Sequence, residues 1–287
     1  MPRCGRVEPR AGRDVRTAAG FRRRDTALHA LLAPLDEAAL AERTAFKGWA
    51  LSDIVGHLHF WNRGALLSLA EPEAFRALAE RVLTHLGGGG TLRDFERAEL
   101  AGLSGRALLE AWHQFAQTMA ARFAAAPPSA RVAWVGPDMS VRSAITARLM
   151  ETWAHGQAAY DLLGVVRRNT DRIRNIAVLG ANTYDWSFRI RGRKPPQPKP
   201  HLRLTAPSGV LWTWNDSSEA DLVEGAAEEF CQVVTQVRNV ADTRLTVRGA
   251  AATAWMEIAQ CFAGPPEAPP APGMRRTGAR HAPAARA

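Results

Sequence analysis

Cysteine, lysine and long apolar runs are all scarce in this chain, and each scarcity excludes something. Among 287 residues there are three cysteines, Cys4, Cys231 and Cys261, with no CxxC spacing. They give no disulfide framework and fit a reducing, cytoplasmic setting. No stretch reaches the roughly 18 apolar residues that a membrane span needs, so no membrane partner is expected. The first twenty residues are rich in Arg but lack the apolar core of a secretory signal. Lysine occurs only at Lys47, Lys194 and Lys199, so nearly all basic charge is Arg. With so many alanines, this reads as codon bias rather than a selected Arg surface.

What is present is a net charge of +9, from 37 basic and 28 acidic residues. Such a balance first suggests nucleic acid or an acidic membrane surface. Its distribution argues against both. Residues 1–24 carry +6 and residues 265–287 carry +3, leaving residues 25–264 with 25 basic and 25 acidic groups. The body is formally neutral and no nucleic-acid partner is expected. The basic ends have too little apolar content to fold, so 1–24 and 265–287 are expected to be disordered tails.

Between the tails, periodicity predicts helices first and strands later. A helix begins at Asp25 or Thr26 and carries Leu28, Leu31, Leu32 and Leu35 at helical spacing. Others are expected over 52–70, 73–86, 104–125, 141–163 and 169–190, with Gly164 as a C-terminal cap. The four glycines 87–90 form a loop; without GxxxxGK[ST] they are no phosphate cradle. At 191–200, RGRKPPQPKP marks a linker. Beyond it the pattern predicts a hairpin of 201–205 with 210–214. Strands near 220–223 and 243–247 and helices near 225–237 and 250–262 complete the pattern. The reading is α+β overall: a helical domain over 25–190, the linker 191–200, and a small α+β domain over 201–264.

Of eight histidines, one has a partner at ligand spacing. Glu151 and His155 lie at i, i+4 on a helix, about 5–6 Å apart at Cβ, and can hold two corners of one cation. A third ligand must come from another helix, and the segment GWALSDIVGHLH offers His57 or His59. Two residues apart on a helix, these cannot both face one axis, and pattern alone does not choose between them. Trp49, Trp61 and Trp153 stand nearby as possible pocket walls. Gly56 and Gly156 would permit close approach of helices. Asp53 is a helix-start acid first and a partner for a ligand imidazole second. Arg148, at i−3 from Glu151, either pairs with it or is solvated. The basic segment 189–203 reads as a solvated linker. Trp212 and Trp214 share a strand face and read as core.

GWALSDIVGHL, followed much later by ARLMETWAHGQ, resembles the signature pair of the DinB-like superfamily. More closely, it resembles the branch containing the mycothiol-dependent maleylpyruvate isomerases. The segment 228–266, EEFCQVV through CFAGPP, resembles the C-terminal region of a metal-binding subgroup of that branch. The likeness covers about 25–266. It implies an N-terminal four-helix bundle and a C-terminal α/β domain similar to sterol-carrier modules. It implies one divalent metal, usually zinc (Zn2+), with His57 rather than His59 joining Glu151 and His155. It further implies a low-molecular-weight thiol such as mycothiol as cofactor and an electrophilic small-molecule substrate. The reaction would be an isomerisation or S-transfer in which a zinc-activated thiolate is the nucleophile. A metal-binding regulatory protein without catalysis is the alternative. Two departures stand out. Relatives often carry an acid after GQ, where this chain has Ala158, with Asp161 three positions on. The C-terminal Arg of the isomerases maps equally to Arg238, Arg244 or Arg248.

Overall fold

The computed structural model describes residues 10–216 and 220–278, with the side chains of 10–19 and 24 left aside. Residues 1–9 and 279–287 of the two expected tails therefore lie outside the described residues. Contacts divide the chain into two compact units, residues 1–40 with 52–152, and residues 41–51 with 153–287.

The first unit is helical. It holds α1 (Arg10–Leu32), α2 (Glu37–Leu40), α3 (Leu51–Ala70), α4 (Pro72–Gly87), α5 (Leu92–Glu99) and α6 (Gly105–Ala125). A short hairpin, β1 (Arg131–Val132) with β2 (Met139–Ser140), leads into α7 (Val141–Leu162). Helix α1 starts fifteen residues before the expected Asp25. Its Phe21 is fully buried, and α1 packs along α6. The expectation of a disordered tail up to residue 24 is thus corrected. Burial of Phe21, Leu28 and Leu32 overrides an Arg-rich composition, while Arg22 and Arg23 stay exposed. Pro72 stands in the first turn of α4, where its missing N–H costs nothing. Thr91 caps α5 by accepting from the Asp94 N–H. Phe60, Trp61, Val82 and Phe95 form one core cluster joining α3, α4 and α5. Gly56 makes a close approach, but to the side chains of Leu100 and Leu108: a Cβ there would lie 3.0 Å from Leu100 Cδ1.

Helix α7 runs without interruption through the point where the two units divide, and Gly164 follows it with φ of +68°. The expected single helix over 169–190 is instead a 3-10 turn at Asp171–Ile173, then α8 (Arg174–Asn182) and α9 (Tyr184–Arg189). Thr183 breaks the run: its hydroxyl bonds the Leu179 and Gly180 carbonyls, competing with the backbone ladder.

The sheet of the second unit comprises β3 (His201–Thr205), β4 (Leu211–Trp214), β5 (Leu222–Ala226) and β6 (Thr246–Arg248), in the order β4-β3-β5-β6. The hairpin register pairs Leu202 with Trp214 and Leu204 with Trp212, and β5 lies parallel to β3. Helices α10 (Ala227–Val234) and α11 (Ala250–Met256) complete the unit. Tyr184, Phe188, Phe230 and Trp255 pack edge-on and tilted at ring separations of 5.0–5.7 Å. Gly180 is required here, since a Cβ would meet Val234 Cγ2 at 2.8 Å. Trp212 is buried, as expected, but Arg174 stacks across both Trp212 and Trp214, at 5.8 and 5.9 Å.

Order does not end at Gly264. Gln236 and Arg191 donate to the Glu267 carbonyl, Asn239 to that of Pro270, and Gly278 N–H to that of Asp161. Residues 265–278 are thus a fastened strap, which corrects the expected tail. The composition argument counted apolar side chains, whereas this stretch is held through its backbone carbonyls.

Candidate metal centre

Two helices supply the ligands. On α3 the sequence from Leu51 to Leu58 is buried on nearly every side, which carries His57 into the interior. On α7 Glu151 and His155 stand one turn apart, so the helix itself fixes their spacing. His57 Nε2 lies 3.9 Å from Glu151 Oε2. One ligand atom each from His57, Glu151 and His155 falls within 4.8 Å of the others. Tetrahedral zinc with bonds of roughly 2.0–2.1 Å sets its ligand atoms roughly 3.3 Å apart, so a small inward adjustment closes the set. Two imidazoles and one carboxylate are also the donor set that leaves such an ion an open position. The residues fit the group.

His59 takes no part. Its ring packs edge-on against Phe115 at 5.6 Å. Burial, with Arg63 adding to it, pushes its pKa down to about 4. His57 is the opposite case. Burial disfavours its charge, but the Glu96 and Glu151 carboxylates outweigh that and hold its pKa up at about 9. Two acids converging on one imidazole make a place that calls for positive charge.

Glu96 is the residue that sequence reasoning missed. It is buried on α5, with Oε1 2.8 Å from His57 Nδ1 and 2.8 Å from Trp61 Nε1. Donation from Nδ1–H to Glu96 fixes the ring and turns Nε2 toward Glu151. Asp53, the candidate for this supporting role, pairs with Arg97 at 2.6 and 2.9 Å. Being only one turn before His57 on the same helix, Asp53 faces α5 and meets its Arg97 first.

The turn Phe46–Trp49 walls His155. Trp49 N–H bonds the Phe46 carbonyl at 2.9 Å, and Lys47 and Gly48 both take positive φ, as a type I′ turn requires. That geometry sets Phe46 edge-on to the His155 ring at 5.0 Å and Trp49 parallel to it at 6.3 Å. Trp153 instead is pinned in the core by Asn169 and Arg167. Of the three tryptophans expected at the site, Trp49 and Trp61 serve it. Arg148 is neither solvated nor held through a simple ion pair; it is buried, with Nε donating to Asn62.

Farther along α7, Asp161 receives two hydrogen bonds from Arg238, at 2.6 and 2.7 Å, and one from Gln157. A small cavity is lined by Ala154, Ala158 and Asp161 from this helix, with Phe46, Val237 and Arg275. Of the three Arg candidates, Arg238 is therefore the one locked beside the cavity. Arg244 pairs at the surface with Glu229, and Arg248 lies on strand β6.

Comparison with known proteins identifies relatives of this chain. Residues 21–160 match the family described as the mycothiol maleylpyruvate isomerase N-terminal domain. Two Mycobacterium tuberculosis proteins, uncharacterized protein MT0041 (strain CDC 1551 / Oshkosh) and uncharacterized protein Rv0036c (strain ATCC 25618 / H37Rv), are 38% identical over 239 residues. That span is 83% of this chain and 92% of theirs. A crystal structure of the mycothiol-dependent maleylpyruvate isomerase shares the fold, with a TM-score of 0.52 and 17% identity over 84% of this chain and 93% of that one. The shared fold is mixed, with a helical part followed by an α/β part. The chain belongs to the mycothiol-dependent maleylpyruvate isomerase-like family.

Proposed function

We propose that this protein is a divalent-metal-dependent enzyme that uses a low-molecular-weight thiol, mycothiol or a close analogue, to isomerise or S-conjugate an electrophilic small molecule in the cytoplasm. The observation that carries the reading is the convergence of His57, Glu151 and His155 within 4.8 Å, with the outer nitrogen of His57 already committed to Glu96. Zinc, when bound, supplies a Lewis acid that makes a thiol ionise near neutral pH.

The chain's own residues do the rest. His57, Glu151 and His155 would hold the ion. Glu96 fixes the His57 ring, and Trp61 N–H fixes Glu96. Phe46 and Trp49 cover the His155 ring and limit water beside it. For an isomerisation, a bound thiol would supply a nucleophile able to add reversibly to an activated double bond, allowing rotation about the resulting single bond before it departs unchanged. Nothing is consumed, so the thiol acts catalytically.

The test has two stages. Elemental analysis of purified protein is expected to give about one divalent ion per chain, lost in a His57→Ala, Glu151→Ala, His155→Ala triple variant. The loaded protein is then assayed with mycothiol, bacillithiol, glutathione and coenzyme A against maleylpyruvate and other electrophiles. Metal without thiol-dependent turnover would leave a metal-binding protein and overturn the enzyme reading.

A further inference from the structure

One turn before Glu151 on α7 lies a cation that the ligand set does not use. Arg148 is 2% exposed. Its Nε donates to Asn62 Oδ1 at 3.1 Å, while its Nη2 is buried with no hydrogen-bond partner. Asn62 is itself fully buried, and its amide nitrogen also lacks a partner. The acids whose fields reach this guanidinium are Glu151, a ligand, and Glu96, the support of His57. Burial lowers its pKa, but only to about 10, so it stays charged at neutral pH. A buried guanidinium held by one neutral side chain is costly and adds little to stability. Its place on α7, one turn before the ligand Glu151 and tied through Asn62 to the helix that carries His57, gives it an electrostatic task instead.

We propose that Arg148 is a positioning residue that sets the net charge of the metal centre. The inference rests on the metal reading above. Glu96 and Glu151 contribute two negative charges, and the imidazoles contribute none when they ligate. A divalent cation would bring that sum to zero, and a neutral centre has little preference for an anionic further ligand. Arg148 leaves the loaded centre at +1. It weakens the hold on the cation and strengthens the preference for a thiolate over a neutral thiol. Asn62 orients the guanidinium through Nε without cancelling its charge, which an Asp at that position would do.

The sign of the effect separates this role from a structural one. Cobalt affinity is measured by chelator competition in the wild type, Arg148→Gln, Arg148→Lys and Asn62→Asp. Charge removal at short range is expected to tighten cobalt binding about tenfold in Arg148→Gln. The pH midpoint for 2-mercaptoethanol binding, read from sulfur-to-cobalt absorbance, is expected to rise by about one unit. Arg148→Lys keeps both values. Asn62→Asp, which retains the guanidinium and its hydrogen bond, also tightens the ion. Weaker or unchanged cobalt binding in both Arg148→Gln and Asn62→Asp overturns the proposal and makes Arg148 a packing residue. A wild type that binds no cobalt overturns the metal reading, and this inference with it.

Discussion

Two carboxylate–imidazole pairs with a buried acid stand in the helical unit, and their inner geometry is nearly the same. In one, Glu96 lies 2.8 Å from His57 Nδ1 and also takes the Trp61 N–H. In the other, Asp25 lies 2.6 Å from His113 Nδ1 and also takes the Gln117 N–H at 2.9 Å. Both acids are buried. The difference is on the far side of each ring. His57 faces Glu151 and so gathers a second negative charge. His113 stacks on His29 at 4.1 Å, and His29 reaches Glu110. Burial, then His29, lowers the His113 pKa. The same inner geometry thus prepares one imidazole for a cation and keeps the other neutral. Two things decide: the third group, which no short motif contains, and the charge of the acid, since burial keeps Asp25 largely protonated at neutral pH.

The comparison breaks most completely at Glu151. Glu151→Gln leaves His57 with a single acid, like His113, and metal affinity is expected to fall more than about 100-fold by chelator competition. Next, Glu96→Gln keeps the ligands but loosens the His57 ring, and a loss of roughly 10–100-fold is expected in the same assay.

The Asp25 pair sharpens the contrast through pH. Burial raises the Asp25 pKa from 3.8 to about 8. A raised carboxyl pKa means the protonated form favours the fold, so its contribution is complete below about pH 3.8, falls as pH rises from there to about 8, and is gone above that. Urea unfolding should show stability falling by about 1 kcal/mol per pH unit between pH 5 and pH 7 and levelling off above pH 8, a slope that Asp25→Asn abolishes. At His113 the sign reverses. The lowered His113 pKa contributes stability above 6.5 that is lost as pH falls below it. His29→Gln removes one of its causes and should flatten that arm between pH 7 and pH 5. The smallest effect is expected at His59→Phe, where metal content stays at one ion per chain. A loss there would show that the dry face of α3 matters to the centre.

Much of this was legible in the residues. The His57, Glu151 and His155 set combines an i, i+4 pair with two motifs that resemble a known family. The sheet could be read from its alternation, and the paired strands 201–205 and 211–214 lie where that pattern put them. Glu96 could not be read as easily. It stands among Arg93, Asp94, Arg97 and Glu99, a run that looks like a solvated helix face. The available signal was phase: Leu92, Phe95, Glu96 and Leu100 recur at helical spacing, which puts an acid on the apolar stripe. The strap was illegible for another reason. Many of its bonds run through main-chain N–H and carbonyl groups, and those are the same in every sequence.

That strap has a consequence for how the protein is made. Lys47 pairs with Glu267 at 2.5 Å, and Arg275 stacks on Phe46 at 4.8 Å. The turn that walls His155 is therefore closed by residues more than two hundred positions downstream. A ribosome working at about 5–20 residues per second needs roughly ten seconds or more to cover that distance. Until then Phe46 and Trp49 wait without their final neighbours, while α1 to α6 already have theirs. A transcript cut short inside 265–278 would yield a chain with its helical unit complete and the wall beside His155 unfinished.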